Sequence, residues 1–363
     1  MSVRMFVLSF LIVAALLSAP FTKTKTMAAF TSISVYGAWH CGSDFCSWAS
    51  VRNMTDFDNA NHWMIDRGNG SPSVNLVVLS FVHPLRLLNK TNDAGTSQGI
   101  PIGMNQAVVD YFKTRGIRVQ LSIGGITYTD AWNQALATNP TQLGLNAADA
   151  AQRLGVGIEI DYEENTSPNL TALQSFINAY RSVHPYDASG NNPAARLTID
   201  LAAGDRWLIA LARKATADWL RTTGPVLDYA NAMVPSRQPN SAATAQADWQ
   251  EHVDGKPQYA PPILPLAPAK FTGALYIVTG SRAAPECTSF STSLISSTGA
   301  YVQTVVPNGV GTTSGMLGYM FWAAECPATR RVCTTPPNTC EGGVGAGANT
   351  YNVPIPMAPL RQS

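Results

Sequence analysis

Residues Gly157 to Glu163 read GIEIDYE, and this short stretch concentrates groups that could do acid chemistry. In an extended strand side chains alternate faces, so Glu159, Asp161 and Glu163 share one side while Ile158, Ile160 and Tyr162 take the other. Successive acids on one face lie roughly 6.5 to 7 Å apart. In a low-dielectric site three negative charges at that spacing repel strongly, so at least one carboxyl stays protonated near neutral pH. A protonated carboxyl is what a general acid needs. The same alternation also suits an ordinary half-buried strand whose acidic face meets water, so the elements around it must decide.

From Thr31 onward, short β-rich runs alternate with helical patterns. The runs are Ile33 to Tyr36, Leu76 to Val82, Arg118 to Ile123, Gly157 to Tyr162, Leu197 to Leu201, Tyr229 to Met233, Ala274 to Val278 and Leu317 to Phe321. Helical patterns cover Asn105 to Thr114 and Asn169 to Val183, the second bounded by Pro168 and Pro185, which are start and stop signals. Eight strands, most of them followed by helix, predict an α/β fold: a single (β/α)8 TIM barrel spanning 30–325. A doubly wound open sheet is the competitor, but no Gly-rich phosphate loop follows the first strand. In a barrel, chemistry sits at the C-terminal strand ends, where Glu163 closes the fourth run.

Charged residues make up 13% of the 363-residue chain and the formal net charge is +1, which leaves no electrostatic footprint for nucleic acid or anionic membranes. Arg4 precedes an apolar run from Met5 to Leu17 and the small residues Ser18 and Ala19. This pattern predicts a signal peptide over 1–22, and hence a secreted protein that leaves the membrane once the signal is removed. Six cysteines agree with an oxidising destination: Cys41, Cys46, Cys287, Cys326, Cys333 and Cys340. Cys41 and Cys46 are close enough to staple one loop; the other four allow three pairings. Asn-x-Ser/Thr sequons at Asn53, Asn69, Asn89, Asn165 and Asn169 fit a secreted glycoprotein. No cysteine spacing and no histidine pair has a zinc pattern, so neither metal nor cofactor is expected. Residues 326–363 are rich in Gly, Pro and Thr and read as a disulfide-tethered C-terminal tail.

The third run reads VQLSIGG, from Val119 to Gly125, and the eighth GYMFWAAE, from Gly318 to Glu325. With GIEIDYE they resemble glycoside hydrolase family 18, the chitinase family, which has an SxGG third strand, a DGxDxDxE fourth strand and a tryptophan closing the eighth. The resemblance implies that Glu163 donates a proton to the glycosidic oxygen and that Asp161 holds the substrate's acetamido N–H. The substrate's own acetyl oxygen then attacks the anomeric carbon, so no carboxylate nucleophile is needed. Trp322 matches the tryptophan under the reacting sugar, and a core aromatic is its other reading. Met233 and Tyr36 are carried over as substrate-binding residues. Ser122, Gly124 and Gly125 of the SxGG strand are carried over as supports.

Three departures from the family pattern bear on activity. Val156 and Glu159 stand where the family has two aspartates, and Pro235 stands where its Met-x-Tyr motif has the tyrosine that hydrogen-bonds the acetyl oxygen. Proline offers no donor; Tyr276 and Gln238 are candidate replacements. Aromatics beside the Cys41 to Cys46 loop, namely Trp39, His40, Phe45 and Trp48, suit either stacking on sugars or packing on the barrel rim. Tyr128 and Trp132 after the third strand are weaker candidates. The resemblance thus implies a monomeric hydrolase of β-1,4-linked N-acetylglucosamine polymers. An endo-β-N-acetylglucosaminidase acting on N-glycans and a non-hydrolytic chitin-binding barrel are the alternatives.

Overall fold

The computed structural model describes residues 34–41, 53–66, 70–72, 74–233, 242–276, 316–322 and 360. The predicted signal peptide, nearly all of the predicted tail, the Cys46 side of the first loop, Asn69, Pro235 and Gln238 lie outside these residues. Eight parallel strands close into a barrel: β1 Val35–Cys41, β2 Leu76–Val82, β3 Arg118–Gly124, β4 Gly157–Asp161, β5 Leu197–Leu201, β6 Ala230–Ala232, β7 Phe271–Tyr276 and β8 Gly318–Trp322. Neighbours in sequence are neighbours in space, and β1 seals the circle by pairing with both β8 and β2. This is the expected (β/α)8 architecture.

The first and seventh strands are shifted from their sequence-based bounds. β1 runs on to Cys41 because Gly37 to Cys41 pair residue by residue with Leu76 to Ser80 of β2. A glycine in the run hides that half from propensity, yet Gly37 is needed there because the Met320 side chain fills the space a Cβ would take. β7 starts at Phe271, whose ring is wholly buried. β4 stops at Asp161, so Glu163 stands just beyond the ladder rather than in it.

The helices are α1 Met54–Ile65, α2 Pro84–Leu88, α3 Gln106–Lys113, α4 Thr129–Thr138, α5 Pro140–Leu154, α6 Leu170–Val183, α7 Ile209–Lys214 and α8 Ala242–Asp254. Three begin on an asparagine whose side chain accepts an otherwise orphaned backbone N–H: Asn105 from Val108, Asn139 from Gln142 and Asn169 from Ala172. The outer core lies between sheet and helices, where Val77, Leu79, Leu121, Ile123, Ile158 and Ile160 meet Phe112, Leu143, Phe176 and Trp219. Inside the barrel a smaller cluster of Val35, Leu76, Val78, Ala274 and Met320 fills the lower part. Above it the lumen turns polar, a departure from the branched apolar layers usual in such barrels.

Candidate active site

Parity along the strands decides which residues face the lumen. In β4 the inward set is Gly157, Glu159 and Asp161, while Ile158 and Ile160 belong to the outer core. Glu159 is fully buried and held by strands on opposite sides: Trp39 Nε1 of β1 donates to its Oε1 at 2.8 Å, and Asn231 Nδ2 of β6 donates to its Oε2 at 2.6 Å. Thr272 Oγ1 of β7 donates to Asn231 Oδ1 at 2.6 Å. That bond fixes which end of the Asn231 amide faces Glu159. Ser122, paired in register with Glu159, and Asp200 of β5 complete its polar surroundings.

Among the described residues, three carboxyls and no cation surround Glu159. Asp161 is 4% exposed and its Oδ1 has no hydrogen-bond partner. Burial, then the negative charges of Glu163 and Glu159, push its pKa well above the usual carboxylate range. Asp200 behaves alike: it is buried, its Oδ1 is unpartnered, and burial followed by the charge of Glu159 pushes it well up. Glu159 is also raised by burial, but hydrogen bonds from its neighbours work against the shift. Hydrogen bonds thus favour the charged form of Glu159, and its charge pushes Asp161 and Asp200 toward their protonated forms.

Glu163 stands half-buried at the mouth. Burial raises its pKa to about 7, while hydrogen bonds from Asp161 and from the Ile126 backbone N–H hold it from rising further. A carboxylic acid poised near neutrality is suited to give a proton and take it back. The next residue, Glu164, has the opposite environment: hydrogen bonds from Asn133, Ser167 and Thr166 keep its carboxyl below the ordinary range. Two successive glutamates thus have their acidities driven apart.

The SIGG sequence delivers the Ile126 N–H to that place. Gly124 and Gly125 both have positive φ, 122° and 90°, and only glycine adopts such angles without strain. A Cβ on Gly124 would meet the Asp161 carbonyl oxygen at 1.9 Å and Trp132 Nε1 at 2.3 Å. The contact is this close because Trp132 Nε1 donates to both Ile123 O and Asp161 O, at 3.0 Å each, clamping the ends of β3 and β4 together. Trp132 is therefore wholly buried as a clamp and offers no face to a sugar. Tyr128 reaches the rim, where its ring lies 4.7 Å from that of His83.

Two residues expected to bind substrate sit elsewhere. Tyr36 faces away from the lumen and is completely buried in the outer core, because β1 places its odd-numbered residues inward. Trp39 does face inward, but at 3% exposed it supports Glu159 instead of offering a platform. His40 points outward and lies against Asn61 of α1. Met233 is half-buried directly after β6, its N–H donating to Leu201 O. Trp322 ends β8, paired with Tyr276 of β7, and the side chains of both lie outside the described set. Asp200 was missed. Its signal was the polar residues Thr198 and Asp200 two apart in LTIDL, a weaker version of the GIEIDYE alternation. Among the described residues, no three His, Cys, Asp or Glu side chains are arranged to hold a metal ion.

No protein-family model and no curated protein matches the sequence. Solved structures do match. A family 18 chitinase from Pseudoalteromonas aurantia aligns over 80% of this chain and 94% of its own, with a TM-score of 0.51 at 14% identity. The barrel has the family 18 chitinase fold. Family 18 chitinase from Cycas revoluta, solved with allosamidin, covers 80% and 95% at 12% identity and a TM-score of 0.48. Class V chitinase from Nicotiana tobaccum covers 88% and 99% at 14% identity and a TM-score of 0.45.

Proposed function

We propose that the protein is a secreted glycoside hydrolase that cleaves β-1,4 N-acetylglucosamine linkages with retention of configuration. The observation that carries this is Glu163, raised to about 7 and hydrogen-bonded to Asp161 at the barrel mouth. Protonated Glu163 gives its proton to the glycosidic oxygen as the bond to the anomeric carbon breaks. The acetyl oxygen of the same sugar attacks that carbon, and Asp161 holds the acetamido N–H so that the oxygen is aligned. Glu163, now a carboxylate, takes a proton from water, which opens the cyclic intermediate from the face the leaving group left. Glu159 supplies the fixed negative charge beneath this exchange, and Trp322 and Met233 belong to the sugar's surroundings. Secretion and glycosylation are part of the proposal, supported by the apolar N-terminal run and by exposed sequons at Asn53, Asn89, Asn165 and Asn169.

Proton NMR of the protein with a chitin tetramer tests this directly, since it reads turnover and the anomer first formed. Wild type is expected to release the β-anomer, and Glu163→Gln to be slower by on the order of a thousandfold. Undiminished turnover in Glu163→Gln would remove the mechanism. Glycan release from a glycoprotein with the tetramer untouched moves the substrate to N-glycans. Tetramer binding without turnover leaves a sugar-binding barrel.

A further inference from the structure

Family-type acids on β4 account for Glu163, Asp161 and Glu159, but not for Asp200. It lies on the next strand, with Asn231 of β6 as its register partner on the other side. It is 2% exposed, with one oxygen unpartnered and the other side of the carboxyl turned to Glu159. The titratable groups facing it are Glu159, Asp161 and Glu163, all from the β4 segment; β6 contributes only the neutral amide of Asn231. A buried carboxyl loses solvation, and among the described residues no cation offsets that loss at Asp200.

The hydrogen-bond pattern shows what it does. Glu159 accepts from Trp39 and Asn231 and is also hydrogen-bonded to Asp200. Asp161 shares the β4 face with Glu159, two residues away, and would be the natural donor to it. Instead Asp161 is hydrogen-bonded to Glu163. Resting on the hydrolase reading, we propose that Asp200 is a positioning residue: its carboxyl occupies Glu159, leaving Asp161 turned toward the proton donor before any sugar arrives. The neighbouring strand thus spares the site a rotation of Asp161 on substrate binding.

The test is a 13C-carboxyl NMR titration of the full chain as wild type, Asp200→Asn and Asp200→Ala, with kcat and KM for chitin tetramer measured across pH on each. Asparagine keeps an N–H for Glu159; alanine does not. In Asp200→Ala, Asp161 turns to Glu159 and Glu163 loses a donor. The Glu163 midpoint then rises from about 7, the alkaline limb of kcat moves up with it, and kcat falls roughly tenfold at little cost in KM. Asp200→Asn is expected to restore the midpoint and most of the rate. An unmoved Glu163 midpoint in Asp200→Ala overturns the proposal, as does identical behaviour of the two variants. Should alanine prevent folding, Asp200→Val removes the donor with less cavity. A wild type that does not turn over the tetramer, yet shows these shifts, ends the hydrolase reading and leaves the positioning role standing.

Discussion

The two ends of the barrel treat buried charge in opposite ways. At the N-terminal end a single carboxylate, Asp228, receives Arg196 Nη1 at 2.5 Å, Arg181 Nη2 at 3.1 Å and the Leu197 N–H at 2.7 Å, while Lys270 Nζ donates to its backbone carbonyl at 3.1 Å. At the C-terminal end four carboxyls share one space and, among the described residues, no arginine or lysine meets them. Cations are in excess at the base: burial lowers Lys270 to about 8 and Arg118 to about 10. Both carboxylate oxygens of Asp228 are partnered, whereas Asp161 and Asp200 each keep an idle oxygen. Satisfied charge fixes a structure; unsatisfied charge is free energy that a ligand or a proton can release.

The sharpest way to break this contrast is to remove the anion at the base. Asp228→Ala strands Arg181 and Arg196, which are at most a tenth exposed, and is expected to cost about 3 to 5 kcal/mol in denaturant unfolding. Activity per folded molecule should stay unchanged, because neither Asp228 nor its arginines hydrogen-bonds to the acids. A lost rate at full folding would show that the ends are coupled.

Leu360 is the next probe of the base. It lies 4% exposed in the lower lumen cluster, and its carbonyl accepts from Arg196 Nη2 at 2.5 Å. Leu360→Ala keeps the carbonyl and loses the apolar plug. About 2 kcal/mol of stability should go, again without change in rate. Deleting the last four residues should cost more, since Arg196 then loses its acceptor as well.

At the mouth the expected sign is reversed. The folded-state pKa of Glu163, about 7, lies above the ordinary glutamate value of 4.5. The folded chain therefore binds the extra proton, and its stability is fully present below pH 4.5 and declines as pH rises through 7. Glu163→Gln carries no such penalty. Its unfolding free energy should equal that of wild type near pH 4 and exceed it by about 3 kcal/mol at pH 8. A variant that stays no more stable than wild type across this range would mean that the mouth carries no stored electrostatic cost.

How much of this was legible in the sequence follows from how local each signal is. GIEIDYE announces its acidic face because a period of two needs no partner strand, and the Asn105 and Asn169 helix starts are equally local. The faces of Tyr36 and Trp39 are not local. They depend on the register between β1 and β2, and a shift of one residue exchanges inside for outside. Asp200 matters only because parallel pairing brings β5 beside β4, so its chemistry belongs to the sheet and not to LTIDL. The base was silent for the same reason: Arg181, Arg196 and Lys270 are scattered over 90 residues of sequence and converge on Asp228 only in the fold.

Trp39 is where the smallest effect gives the finest discrimination. Its indole N–H is one of the donors to Glu159, and Trp39→Phe removes that donor while keeping most of the ring in place. The stability cost should be about 1 kcal/mol, the worth of one hydrogen bond whose acceptor retains a second donor. A sugar platform and a carboxylate support predict different kinetics. Loss of a platform weakens binding of substrate and transition state alike, so KM rises and kcat holds. Loss of a support raises the affinity of Glu159 for a proton, moves negative charge off the β4 face and leaves substrate contacts alone, so kcat falls by roughly tenfold with KM unchanged. With Trp39 buried beneath the acids, the second outcome is expected. A raised KM would instead mean that the mouth opens far enough for a sugar to reach β1.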